Sequence, residues 1–232
     1  MTFEELKNIK NIDSSTGRVY DTPDGQFVSV TTMLSKTANK QGLLAWRNKI
    51  GDEEADKIVK ASAERGTKMH AYLEDYMIKN STATLDNARE YVRTSGLLQE
   101  PYDIQVMAKS IIKFLANNNF TSLAQEIAVW DTELKIAGRC DNIGLLFGKL
   151  VLLDYKSSRS EKQRKYVEDY YLQATAYCKA FNQLFSNNKI TGFHILVANE
   201  LGGFQHFSGL PNSKVGELRY RVKQYYNLKE KE

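Results

Sequence analysis

Residues 136–158 read IAGRCDNIGLLFGKLVLLDYKSS, two apolar runs on either side of Gly148-Lys149. The pattern predicts two antiparallel strands joined by a two-residue turn at this dipeptide. In that register Asp141 faces Lys156 across the hairpin. Because side chains alternate along a strand, we expect Asp141, Asp154 and Lys156 on one face.

Two carboxylates and an ammonium group at the end of an apolar hairpin cost free energy unless something binds them. A divalent metal held by Asp141 and Asp154, with Lys156 beside a reacting phosphate, accounts for all three groups. The run LVLL before Asp154 predicts a strand that is buried on both faces, which favours this interpretation. For Asp154-x-Lys156 considered alone, a solvated strand end is an equal alternative.

Composition describes a globular, mildly basic chain of 232 residues with 42% hydrophobic residues and a net charge of +4. This charge is compatible with a nucleic-acid partner but does not require one. Two cysteines, Cys140 and Cys178, favour a reducing compartment, and no apolar run reaches the length of a membrane span. With no targeting pattern at the amino terminus, we expect a cytoplasmic protein without a membrane partner.

The hydrophobic period changes along the chain from helical to strand-like near residue 122. Before that point it predicts a hairpin over 18–34 with a helix starting near Ser29, helices over 41–80 with a new one after Gly66-Thr67, and a helix from Pro101 to Asn117. After it come strands at 122–130, 133–147 and 150–156, a helix over 166–185, strands at 190–198 and 203–208, and a helix from Ser213. This order predicts a single α+β domain over 1–232, mainly helical over 1–120, with a mixed sheet core over 121–232.

Further polar residues are candidates for the site near Asp141. His70 supplies an imidazole, which together with two carboxylates suits Mg²⁺ or Mn²⁺; the alternative is an ordinary core or surface histidine. Gln173 and Tyr177 share a face of the predicted 166–185 helix, where an aromatic packing stripe is the alternative. Glu126 precedes an apolar strand and is either a further site residue or a strand-end charge.

These motifs together resemble the PD-(D/E)xK nucleases of the RecB-like branch, in the order found in that family. They are G-T-x-x-H-x-x-x-E at 66–74, Glu126, G-R-x-D at 138–141, D-Y-K-S at 154–157 and Q-x-x-x-Y at 173–177. The segment S-V-T-T-M-L at 29–34, with Trp46 downstream, adds a similarity to the mitochondrial genome maintenance exonuclease and its phage relatives. The resemblance covers about residues 27–198 and implies a restriction-endonuclease-like core.

The resemblance implies a monomeric, Mg²⁺- or Mn²⁺-dependent DNA exonuclease that prefers single strands with free ends and serves replication or recombination in bacteria or phage-infected cells. Two cysteines cannot supply the four-cysteine iron–sulfur cluster of some relatives, so no such cluster is expected. The implied metal ligands are His70, Asp141, Asp154 and the carbonyl oxygen of Tyr155, and the implied catalytic residues are Asp141, Asp154 and Lys156. Substrate-binding or supporting roles fall to Glu126, Ser157, Gln173, Tyr177, Ser29 and Thr31. A flap- or branch-specific endonuclease and a non-catalytic nucleic-acid binding module are the competing functions.

Overall fold

An eight-stranded mixed sheet flanked by helices forms the core of the computed structural model, which describes residues 1–230. The strands are β1 (Lys10–Ser14), β2 (Gly17–Thr22), β3 (Gly25–Ser29), β4 (Thr121–Asp131), β5 (Ile136–Leu146), β6 (Lys149–Ser158), β7 (Gly192–Asn199) and β8 (Phe204–Gly209). The helices are α1 (Phe3–Lys7), α2 (Val30–Thr37), α3 (Gln41–Ile50), α4 (Asp52–Lys79), α5 (Leu85–Thr94), α6 (Tyr102–Asn117), α7 (Glu168–Leu184) and α8 (Val215–Lys229). The predicted α+β fold with a mixed sheet is confirmed, and the portion before residue 121 contributes three of its strands.

The sheet divides at β5. One edge of β5 pairs with the antiparallel β4 along most of its length. On the other edge, β3 pairs in parallel with Ile136 and Ala137, whereas β6 pairs antiparallel only from Asn142 onward. In the described part of the chain, residues 138–141 therefore have no paired strand on this edge. The strands β3 and β6 separate here, and the fork opens beside Asp141.

The β5–β6 turn lies one residue earlier than predicted. Leu146 pairs with Lys149, so the two loop residues are Phe147 and Gly148, with φ of 52° and 72°. Both signs match the type I′ turn that suits a tight hairpin. The predicted turn at Gly148-Lys149 is wrong, and the register now runs from Asn142 opposite Leu153 towards Asp141 opposite Asp154. Moving a two-residue loop by one residue changes the pairing by two, so the face predicted for the carboxylates is unchanged.

Both faces of the sheet are covered, as the apolar run before Asp154 predicts. On β6, Leu152 packs in a cluster with α2, α7 and α8, and the next residue, Leu153, packs with α4 and α6 on the opposite face. The long helix α4 runs without a break through Gly66, so the prediction of a new helix after Gly66-Thr67 is wrong. The chain turns instead at Gly51, whose φ of 87° favours glycine. No helix within residues 1–230 is long and apolar enough to cross a membrane.

Candidate active site

Three side chains from three different elements converge at the fork in the sheet. His70 comes from α4, Glu126 from β4 and Asp141 from β5, and one possible ligand atom of each lies within 4.8 Å of the other two. Nδ1 of His70 lies 3.5 Å from a carboxylate oxygen of Asp141. The other carboxylate oxygen of Asp141 accepts a hydrogen bond of 2.6 Å from the backbone N–H of Tyr155. The carbonyl oxygen of Tyr155 in turn lies 3.0 Å from Nε2 of His70, so all of these groups are held at one end of β6.

Glu126 reaches this group through an unusual backbone conformation. It lies between the pairs Gln125–Asn142 and Ile127–Cys140, and so opposite Asp141, with a φ of 53° that non-glycine residues seldom adopt. Burial, together with the nearby carboxylates of Asp141 and Glu74, raises the pKa of Glu126 to about 7. Carboxylates that repel one another beside an imidazole form a donor set that Mg²⁺ or Mn²⁺ satisfies. The residues present therefore fit a divalent metal.

Arg139 fixes the backbone on which Glu126 is carried. Its guanidinium donates hydrogen bonds to the carbonyl oxygen of Glu126, to that of Ile9 at 2.8 Å and to that of Lys7 at 3.2 Å. One side chain thus ties β4 to the segment between α1 and β1. These bonds offset the conformational cost of the positive φ at Glu126.

Asp154 and Lys156 form a largely buried ion pair next to the metal-binding group. Nζ of Lys156 lies 2.5 Å from Oδ2 of Asp154, whose side chain is only 2% exposed. Burial raises the pKa of Asp154 to about 6, although the ammonium of Lys156 opposes the rise. Burial would lower the pKa of Lys156, but the carboxylates of Asp154 and Asp141 outweigh it and raise this pKa. Lys156 is therefore a fixed positive charge at neutral pH rather than a general base.

Gln173 and Tyr177 on α7 form a short hydrogen-bond chain to the Asp154 side of this pair. The side-chain amide of Gln173 donates to Oδ1 of Asp154 at 3.2 Å and to the hydroxyl oxygen of Tyr177 at 3.1 Å. The ring of Tyr177 is buried against the backbone of Gly138, where a Cβ atom would lie 2.2 Å from the ring. The glycine of G-R-x-D is thus required for the close approach of Tyr177.

A cleft of about 660 Å³ gives access to these groups. Residues of α4 form part of its wall, and Asn11, Arg18 and Tyr20 from the β1–β2 hairpin form another part. Of the remaining residues expected at the site, Thr31 and Ser157 line the cleft. Ser29 is buried, and its hydroxyl caps α2 by accepting a hydrogen bond of 3.0 Å from the N–H of Thr32.

A family model described as the PD-(D/E)XK nuclease superfamily matches residues 41–201, more than half of the chain. The chain belongs to this superfamily. Comparison with curated proteins gives no significant match. The solved structure titled "Crystal structure of SSO0001" is similar at 18% identity and a TM-score of 0.38, over 60% of this chain and 64% of that one. This chain spans less than two thirds of that protein's length.

The superfamily is one of nucleases. The matched span includes Asp141, Asp154 and Lys156, whose order and spacing fit the pattern D…D-x-K. It also includes His70 and Glu126, each of which has a possible ligand atom within 4.8 Å of one of Asp141. Asp154 is engaged by Lys156 and Gln173, and it lies outside the group of three converging donors.

Several cleft residues of this PD-(D/E)XK nuclease were missed by sequence reasoning. Arg139 lies two residues before Asp141 on the same strand, so strand alternation alone places both side chains on one face. The motif G-R-x-D therefore contains the signal for Arg139. Arg18 and Tyr20 lie within a predicted hairpin, yet no local pattern relates them to residues more than a hundred positions away.

Substitution Gly138→Ala is expected to destabilise the nuclease by about 1–3 kcal/mol, because the added methyl group overlaps the Tyr177 ring and neither group can move freely. Urea unfolding of the two proteins measures the loss. Gly66→Ala is the matched control, since its Cβ would lie 3.0 Å from the rotatable hydroxyl of Ser157 and a helix interior favours alanine. A Gly138→Ala protein as stable as the Gly66→Ala protein would contradict the packing account.

Proposed function

We propose that this protein is an exonuclease acting on single-stranded DNA ends, of the RecB-like branch and related to the mitochondrial genome maintenance exonuclease and its phage relatives. The observation that carries the proposal is the walled cleft. Ser62, Gly66 and Thr67 of α4 line this cleft together with residues of the β1–β2 hairpin and Lys156. A flexible single strand can follow such a cleft more readily than a stiff duplex, and the preference for free ends is proposed from the resemblance of the motifs to those of the exonuclease.

Each residue of the site has a proposed task. His70, Glu126 and Asp141 would hold Mg²⁺ or Mn²⁺, which supplies Lewis-acid activation of water and phosphate oxygens. Asp154 and the carbonyl oxygen of Tyr155, adjoining on β6, complete the proposed ligand set. Lys156 stabilises negative charge that develops on the phosphate during attack. Gln173 keeps Asp154 oriented, and Ser157 donates a hydrogen bond to a phosphate oxygen.

The test uses end-labelled linear and circular single-stranded DNA, with Mg²⁺, with Mn²⁺ and with EDTA. We expect the linear strand to be degraded with metal and the circle to stay intact. Cleavage of the circle would replace the proposal by the flap- or branch-specific endonuclease. Binding of the strand without release of nucleotides under any condition would favour the non-catalytic binding module.

The proposal extends to a monomer that acts in the cytoplasm of a bacterial or phage-infected cell, together with replication or recombination proteins. Light scattering of the purified protein at micromolar concentration tests the monomeric state. A stable dimer that buries the cleft would remove this part of the proposal.

A further inference from the structure

A second cavity continues the cleft along the β1–β2 turn and α2. This hydroxyl groove, of about 460 Å³, shares Arg18 and Thr31 with the cleft. Six hydroxyl side chains line it: Ser14, Ser15, Thr16, Thr31, Thr32 and Ser35. Its carboxylate, that of Asp13, is already paired with the guanidinium of Arg18 at 2.8 Å. The groove is therefore rich in hydrogen-bonding groups and presents little free negative charge.

A third cavity, of about 270 Å³, continues from the groove and shares Arg18 and Lys36 with it. Lys36 from α2, Lys135 from the β4–β5 turn and Lys229 from α8 line this basic pocket. Among the described residues that line the pocket there is no aspartate or glutamate. Three lysines thus face one concave space without a carboxylate between them.

The lysine on the β4–β5 turn is held in place by the fold. Lys135 has a φ of 53°, and its carbonyl oxygen accepts a hydrogen bond of 2.7 Å from the Tyr226 hydroxyl on α8. Nζ of Lys36 lies 6.0 Å from the ring centroid of Tyr225, also on α8. Both lysines thus lie beside α8.

We propose that the hydroxyl groove and the basic pocket bind the phosphate backbone of the DNA strand outside the catalytic cleft. Hydroxyl and lysine side chains are common donors to phosphate oxygens, and these contacts position a strand without reading its sequence. The three cavities adjoin one another, because Arg18 lines all of them. A strand that reaches Lys156 would then continue around the edge of the β1–β2 hairpin towards Lys36, Lys135 and Lys229. This inference rests on the proposed function, since it requires DNA in the cleft.

The test compares wild-type protein with a triple variant, Lys36→Gln, Lys135→Gln and Lys229→Gln. The probes are fluorescein-labelled oligothymidylates of about 16 and about 4 nucleotides, measured by anisotropy in EDTA so that they stay intact. For the longer strand, we expect the slope of log K against log salt to become less negative by about 2, from roughly 0.7 for each lost phosphate contact. Affinity at low salt should fall about 10-fold or more. The shorter strand, which occupies only the cleft, should bind both proteins alike and be cleaved alike once metal is added.

A control variant carries the same change of charge at Lys113, Lys149 and Lys189, exposed residues that line none of the three cavities. It should keep the wild-type slope. An equal slope change in the two variants, or no change in the pocket variant, would overturn the proposed path while leaving the nuclease assignment intact. If the pocket variant loses the same affinity for the long and the short strand, the lysines act on binding in the cleft, and this result would also overturn the proposed path. Failure of the wild-type protein to bind either strand would instead reject the proposed function itself.

Discussion

Replacement of Lys156 by methionine is expected to lower the rate of DNA hydrolysis by about 10²–10³-fold or more, the cost of removing one group that stabilises transition-state charge. Its ammonium lies 2.5 Å from Asp154, and the neighbouring carboxylates raise its pKa, so the positive charge is present before DNA arrives. Strand binding depends on many contacts along the cleft and should change little. Single-turnover cleavage of an end-labelled strand measures the rate, and anisotropy in EDTA measures the binding.

Lys179 provides a matched control for this substitution. Its Nζ also lies 2.5 Å from a buried carboxylate, that of Asp131, and its side chain is 19% exposed, as is that of Lys156. Either Lys→Met change leaves a buried aspartate without its cation, so each variant should lose up to about 3 kcal/mol of stability. Only Lys156 lines the cleft, so only its loss should reduce the rate beyond the effect of unfolding. Equal losses of rate in the two folded variants would show that Lys156 acts through stability alone.

The β5–β6 hairpin shows why a site can be predicted even when its register is not. Type I′ turns need two positive φ values. Glycine at position 148 is expected in such a turn, but nothing in the local sequence predicts a φ of 52° at Phe147. The resulting error moved the partner of Asp141 by two residues. Because side chains repeat every two residues along a strand, Asp141, Asp154 and Lys156 nevertheless share the predicted face.

The amino-terminal wall of the cleft could not be predicted in the same way. Both α1 and β1 are five residues long, and every residue of β1 is exposed, so neither element shows a hydrophobic period. The contacts that hold this segment against the site come from Arg139, about 130 positions later in the chain. Tertiary contacts of this kind leave no trace in a local pattern.

Glu126 could be predicted only in part. Its position before the apolar run of β4 made it a candidate, but a regular strand could not specify how the side chain is directed. The positive φ at Glu126 and the register shift between Ser122 and Ala124 are irregularities that only the folded sheet defines. In this conformation a carboxylate oxygen of Glu126 lies within 4.8 Å of possible metal-ligand atoms of His70 and Asp141.

Substitution Glu126→Gln is expected to weaken Mn²⁺ binding by about 100-fold or more, above the roughly 10–100-fold loss caused by removing an outer hydrogen-bond partner of a metal ligand. The reason is that an amide oxygen replaces one of three converging donors and removes a negative charge. Isothermal titration calorimetry with Mn²⁺ measures the change without relying on activity. Glu74→Gln is the matched control, because Glu74 lines the same cleft but lies outside the group of three donors.

The same substitution should have the opposite effect on the metal-free fold. The pKa of Glu126 is raised from its ordinary value of 4.5 to about 7 in the folded protein. At pH values above 4.5, the folded protein therefore binds more protons at this residue than the unfolded chain does. Its contribution to stability is therefore present at low pH and lost as pH rises through about 7. In EDTA at pH 8, Glu126→Gln should be more stable than wild type by on the order of 1–2 kcal/mol, after allowance for solvent screening. At pH 4 the difference should vanish.

Urea unfolding at the two pH values, set beside the calorimetry, separates a ligand from a structural carboxylate. If Glu126 has only a structural role, the Glu126→Gln protein should be less stable than wild type. Its Mn²⁺ affinity should then be close to that of the Glu74→Gln protein. If Glu126 is a metal ligand, the Glu126→Gln protein should be more stable without metal and should bind Mn²⁺ more weakly. Both effects have one cause, because the substitution removes the negative charge that repels Asp141 and attracts the cation. Loss of stability at pH 8 with unchanged Mn²⁺ affinity would remove Glu126 from the metal site and leave His70 and Asp141 with Asp154 as the proposed set.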